Sequence, residues 1–204
     1  AARGLPVARP LLARLSALCP VETNPALVEP LQREALRQLR GGSRAPSHDT
    51  VPLHLLQSSA SAIETWARQQ GLICEAADGA YHSLTCAGVP ADALGRQIGS
   101  AAMRYQLVIS MSMSGRPVAV SLLARHLDAP QGAAALAAVR QELDGALGAA
   151  TQASGVITPA ALAQPFHGVS AEYRFSDRVV RIGATNIPAS GVVVRELYLT
   201  SDGA

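Results

Sequence analysis

From Tyr105 to Met113 the chain alternates with a period of two. Tyr105, Leu107, Ile109, Met111 and Met113 share one face, and Ser110 and Ser112 lie on the other. A strand buried on one side and wet on the other is what this pattern permits. Ser114-Gly115 supplies a turn, and Val118, Val120 and Leu122 alternate on the way back. Upstream, Leu56, Ala60, Ile63 and Ala67 form the apolar stripe of a helix, bordered by Trp66 and ended by Gly71. Leu72 to Ala76 reads as a strand, Asp78-Gly79 as a hairpin turn and Tyr81 to Ala87 as the returning strand. Gly88-Val89-Pro90 breaks that strand. Pro90 then opens a second helix with Ala91, Leu94, Ile98, Ala101 and Ala102 inward, although Gly95 and Gly99 weaken it. The class is α+β: an αββαββ unit with helices on one face of an antiparallel sheet.

The flanks divide the chain into three. Residues 1–50 are a tail, a helix and a linker. Asn24 caps the helix, Pro25 opens it, and Val28, Leu31, Ala35, Leu36 and Leu39 form its stripe before Gly41-Gly42. The stretch GGSRAPSHDTVP is a linker by composition. Residues 51–129 hold the αββαββ domain, and 130–204 a second, smaller α/β unit. Pro130 precedes a helix from Gln131 to Thr151 whose Leu136, Val139, Leu143, Ala146 and Leu147 serve as a core stripe or as a seam for a partner helix. Residues 155–171 read as irregular. Strands follow at 179–182 and 192–199, with Glu172 to Phe175 as a third. Two sheets are expected, with strands 116–124 and 192–199 at exposed edges.

Composition removes several classes. With 49% apolar and 16% charged residues the chain can bury a core and is no disordered polyelectrolyte. All 17 basic residues are arginine, yet they are scattered and the net charge is +2, so no nucleic-acid footprint is expected. Arginine forks suit carboxylate or phosphate, but a compositional habit of the source is the preferred explanation of the bias. No run reaches the roughly 20 apolar residues that cross a bilayer. The chain opens on Ala1, and Arg3, Arg9 and Arg14 precede the first acid, Glu22. Any membrane anchor or signal would lie ahead of residue 1, and the basic stretch is compatible with a juxtamembrane or targeting tail. Leu18 is too large for a lipoprotein cleavage site ahead of Cys19.

Of the three cysteines, Cys74 and Cys86 fall in one hairpin. A two-residue turn at Asp78-Gly79 pairs Cys74 with Ser83 and sends Cys86 to the opposite face. A three-residue loop at Gly79-Ala80-Tyr81 sets the two cysteines opposite each other. Buried free thiols are expected, with a disulfide as the alternative in the second register.

Catalytic patterns are missing: there is no phosphate-binding glycine loop, nucleophile elbow or His-Glu-x-x-His. His82 and Cys86 would lie about 13 Å apart along a strand, too far for a nucleophile pair. His126-Leu127-Asp128 lacks a nucleophile and His167 is isolated. His48, Asp49 and His54 could bind a metal, but a linker gives them no fixed geometry and a solvated loop is preferred. No catalytic, cofactor-binding or metal residue is assigned, and no cofactor is expected.

The segments "AIETWARQQGL", "SLTCAGVPADAL", "YQLVISMSMSG" and "PVAVSLL" carry a resemblance over residues 25–124. In that order they resemble the periplasmic domain of the type II secretion system protein M and its relatives in type IV pilus assembly. The resemblance implies a ferredoxin-like αββαββ fold behind a single membrane helix. It also implies self-association or pairing with another envelope protein such as protein L, and no catalytic residues. The expectation is a non-enzymatic scaffold, periplasmic or anchored in the inner membrane facing the periplasm, with protein partners and no nucleic acid. The alternatives are a periplasmic small-molecule or lipid-binding module, with Met111 and Met113 lining its pocket, and an enzyme with a dispersed active site.

Overall fold

The computed structural model describes residues 42–47, 50–77, 82–96, 103–112 and 114–200. The expected helix from Pro25 to Arg40, Cys19, His48, Asp49 and Met113 lie outside these residues. The described elements are α1 (Val51–Gln57), α2 (Ala60–Gln69), β1 (Cys74–Ala77), β2 (His82–Pro90), a 3-10 turn (Asp92–Leu94), β3 (Arg104–Met111), β4 (Pro117–Leu127), α3 (Ala129–Leu147), β5 (Gln152–Ser154), α4 (Pro159–Leu162), β6 (Gly168–Arg174), β7 (Arg178–Ile187) and β8 (Gly191–Thr200). Among the described residues the fold mixes four α-helices with one antiparallel sheet of eight strands, in the order β1-β2-β3-β4-β8-β7-β6-β5.

One face of that sheet holds the core. Tyr105, Leu107 and Ile109 of β3 are buried beside Val120 and Leu122 of β4, and Val192, Val194 and Tyr198 of β8. The helix α1 lies over β4 and β8, and α3 over β7 and β8. Asp128 starts α3 with a capping box: it accepts from the Gln131 backbone N–H at 2.7 Å, and its own N–H donates to the Gln131 side chain at 3.0 Å. Leu136, Val139, Leu143 and Leu147 are all buried, so this stripe is core.

Gly132 marks the closest approach of α3 to the sheet. A Cβ there would run into Val192 Cγ1 and lie 3.0 Å from Val192 Cβ. Gly132→Ala should therefore destabilise by about 1–3 kcal/mol from overpacking, although alanine alone favours a helix interior by about 1 kcal/mol. Chemical denaturation decides: an unchanged or raised stability would show that α3 is free to shift.

Several expectations change. The stripe from Leu56 to Ala67 is split, because Ser58 and Ser59 are both extended and Ser59 caps α2 by accepting from Ala62 N at 3.2 Å. β2 does not stop at Gly88 but bulges there, with Gly88 at φ 66°, and continues through Pro90. In place of the start of a second helix stands a single 3-10 turn closed by Gly95 in the left-handed region; residues 97–102 lie outside the description. The helix expected over 131–151 starts at Ala129 and ends at Leu147. Residues 155–171, read as irregular, contain α4 and the start of β6. The linker is docked: Ala45 N–H donates to Asp177 Oδ1 at 2.8 Å, and Ser176 N–H to Ser43 O at 2.7 Å.

Cys74 pairs with Cys86 and Ala77 with Ser83, which is the register of the odd-length loop rather than the two-residue turn. The expected free thiols are instead joined by a disulfide between Cys74 and Cys86. The largest correction concerns the sheet. The strands expected at exposed edges, 116–124 and 192–199, are partners at its centre, with Val120 opposite Tyr198 and Leu122 opposite Glu196. One sheet thus replaces the two expected, and its edges are β1 and β5.

Candidate functional site

Two places concentrate charge. The first lies inside the core. Gly95, at φ 72°, turns the chain so that Arg96 points down onto β8. Its guanidinium grips Glu196 with both forks, Nη1 to Oε1 and Nη2 to Oε2 at 2.5 Å. Nη2 also donates to the Tyr198 hydroxyl at 3.1 Å, and that hydroxyl donates to Glu196 Oε2 at 2.7 Å. Glu142 on α3 approaches Arg96 Nε at 3.6 Å, and the Tyr105 ring centroid lies 5.9 Å from Arg96 Cζ. Arg96 is 5% exposed and Glu196 0%, so no substrate reaches this cluster. It fastens the 3-10 turn to the sheet.

The same burial acts on the phenols. Desolvation, helped by the Glu196 charge, pushes Tyr105 from an ordinary 10.0 up to about 12, and Tyr198 well up. Tyr173 rises too, through burial and its 2.8 Å hydrogen bond to Asp144 Oδ1. A raised folded pKa favours the neutral phenol, so this stability is whole below about pH 10 and is lost as pH climbs toward 12. In an alkaline titration followed by near-ultraviolet absorbance, these three tyrosines should ionise late and together with unfolding. Ionisation near pH 10 with the fold intact would contradict the arrangement.

The second place is the sheet face that no described helix covers. Along one row Ser170 faces Gly183, Gly183 faces Arg195 and Arg195 faces Leu123. In the next rows Arg181 faces Leu197 and Thr185 faces Val193. These residues, with Arg125, line a cleft of about 740 Å3. Leu123, Val193 and Leu197 are half-buried and form an apolar floor, while Arg125, Arg181 and Arg195 stand exposed around it. Gly183 keeps the floor low: a Cβ there would sit 2.9 Å from the Val169 carbonyl oxygen. Glu172 accepts from Arg181 Nε at 2.5 Å and from Arg174 Nε. Partial burial pushes the Glu172 carboxyl up, but the two arginines prevail and hold it below its usual range. Arg125 and Arg195 form no ion pair with another described residue.

The residues weighed in the sequence are scattered. Met111 is part of the core, 7% exposed. His126 is exposed at φ 59°, Asp128 is a helix cap and His54 is exposed on α1. Among the described residues no three of His, Cys, Asp and Glu come together as metal ligands, and no helix is long and apolar enough to cross a membrane. Arg96, Glu196, Arg125 and Arg195 were not singled out in the sequence. Two signals pointed to them: Glu196 shares a strand face with Val194 and Tyr198, and Val192-Val193-Val194 and Leu122-Leu123-Ala124 run apolar without alternating. Such runs belong to strands covered on both faces.

The described residues define an α+β protein in which helices cover one face of the sheet and the other face presents a basic, apolar surface. Comparison with protein-family models, curated proteins and solved structures finds no match to this chain.

Proposed function

We propose that this chain is a non-catalytic protein of the bacterial envelope, facing the periplasm, that works as an assembly or scaffold component of a secretion or pilus machine through protein contacts. In this reading residues 51–129 correspond to the ferredoxin-like unit of the protein M family, and 130–204 add a unit that widens the sheet. The observation that carries it is the edge strand β1. It is short and exposed, it is flanked by Ile73 at 82% exposure, and the Cys74–Cys86 disulfide holds it in register. Disulfides persist outside the reducing cytosol, and an exposed edge accepts a partner's strand through its free backbone groups.

A photo-crosslinking residue at Ile73, compared with one at exposed Glu64 on α2, tests this in cells. The expected result is a discrete adduct of defined mass from position 73 alone. No adduct from Ile73, from Glu75 or from Ala153 on the opposite edge would defeat the reading. A small-molecule or lipid-binding module is the second reading. The volume of the cleft favours it, since about 300–1,000 Å3 is usual for ligand sites.

A further inference from the structure

The open face of the sheet is built to be covered. β4 and β8 at its centre carry apolar side chains on both sides, with Leu123, Val193 and Leu197 half-buried on the open side among Ser121, Arg125 and Arg195, opposite a complete core. A sheet with one wet face would alternate instead. The backbone groups within a sheet face are already paired, so a segment lying on it must satisfy its own N–H and C=O groups. A helix does so; an extended peptide does not.

Charge decides what kind of helix. Arg125 and Arg195 flank the apolar floor and have no acidic partner among the described residues, while Arg181 shares Glu172 with Arg174. Two residues before Gly168, which lines the cleft, stands Phe166, 75% exposed and in the left-handed region at φ 59°, where a bulky side chain is strained. It is held there by its N–H donating to Asn186 O at 2.8 Å, next to Ile187, which lines the cleft and is 40% exposed. Exposed apolar side chains such as Phe166 and Ile187 near an apolar floor suit a protein contact. From Val193 to Leu199, β8 offers about 20 Å of floor, the length of about 13 helical residues.

We propose that this cleft seats an acidic amphipathic helix of a protein partner. Its apolar stripe would lie on Leu123, Val193 and Leu197 and its carboxylates on Arg125 and Arg195. The proposal rests on the reading that the chain acts by protein contact, and it names a surface distinct from β1.

The test uses two synthetic helical peptides of about 14 residues, with leucines at i, i+3, i+4 and i+7. Glutamates flank the leucines in one peptide and lysines in the other. Binding to the full chain is read by fluorescence anisotropy at low salt. The acidic peptide should bind, and R125E/R195E should weaken it about tenfold or more while admitting the lysine peptide. F166A should weaken it as well. Both sites lie on the surface, and circular dichroism verifies that the variants fold.

Equal binding of the two peptides, no binding, or undiminished affinity in R125E/R195E overturns the proposal. Capture of phosphatidylglycerol vesicles in preference to the peptide also overturns it, as does a dimer of this chain that R125E/R195E dissolves. None of these outcomes alters the crosslink expected from Ile73, so the two readings fail separately.

Discussion

Arg96→Ala should cost about 3–5 kcal/mol of unfolding free energy, the range for breaking a buried ion pair from one side. The physical reason lies with the group left behind. Glu196 is fully buried, and without Arg96 it keeps only the Tyr198 hydroxyl, a single hydrogen bond for a carboxylate that needs its charge balanced. Glu142 is better placed, since its side chain is 32% exposed and reaches water. Removing both partners is a different experiment. Arg96→Met with Glu196→Leu should recover most of the loss, because a well-packed apolar pair often matches a buried ion pair. Urea denaturation followed by Trp66, the only tryptophan, measures both. A loss below about 1 kcal/mol for Arg96→Ala would show that the pair is not closed off from water.

Reduction of Cys74–Cys86 is the second large effect. The bond spans 12 residues, and releasing a loop of that size from the unfolded chain is worth about 3 kcal/mol. The effect should be uneven. β1 pairs only with β2, so in the reduced protein it frays first while β3, β4 and β8 keep their protection. The C74S/C86S variant should lose a similar amount and become indifferent to reductant, and hydrogen exchange should place the loss at residues 74–77. Unchanged denaturation midpoints with and without reductant would refute this. Thiol alkylation in intact cells checks the compartment: both cysteines should resist the reagent until reductant is added.

Local elements were legible in the sequence, and long-range neighbours were not. The alternation from Tyr105 to Met111 fixed which side of β3 faces the core, and the stripe from Leu136 to Leu147 fixed the buried face of α3. Periodicity says which face is buried but not which strand lies alongside. Strands 116–124 and 192–199 were therefore put at edges when they pair with each other at the centre. Their unbroken apolar runs carried the missing information. The cysteine bond turned on one residue of loop length, which composition does not set. Arg96 and Glu196 stand 100 residues apart, so only the inward position of Glu196 hinted that a cation must meet it. The open cleft was invisible for the same reason, because Arg125 and Arg195 become neighbours only through the β4–β8 pairing.

That central seam bears on how the protein comes into being. β8 emerges after every other described strand, yet it fills the slot between β4 and β7. A nascent chain therefore carries β4 with one side unzipped until roughly seventy further residues arrive, a long wait for a sticky ribbon. Any stall within that window leaves Leu122 and Leu123 open to neighbouring chains, so the half-built sheet is most prone to aggregate in that interval.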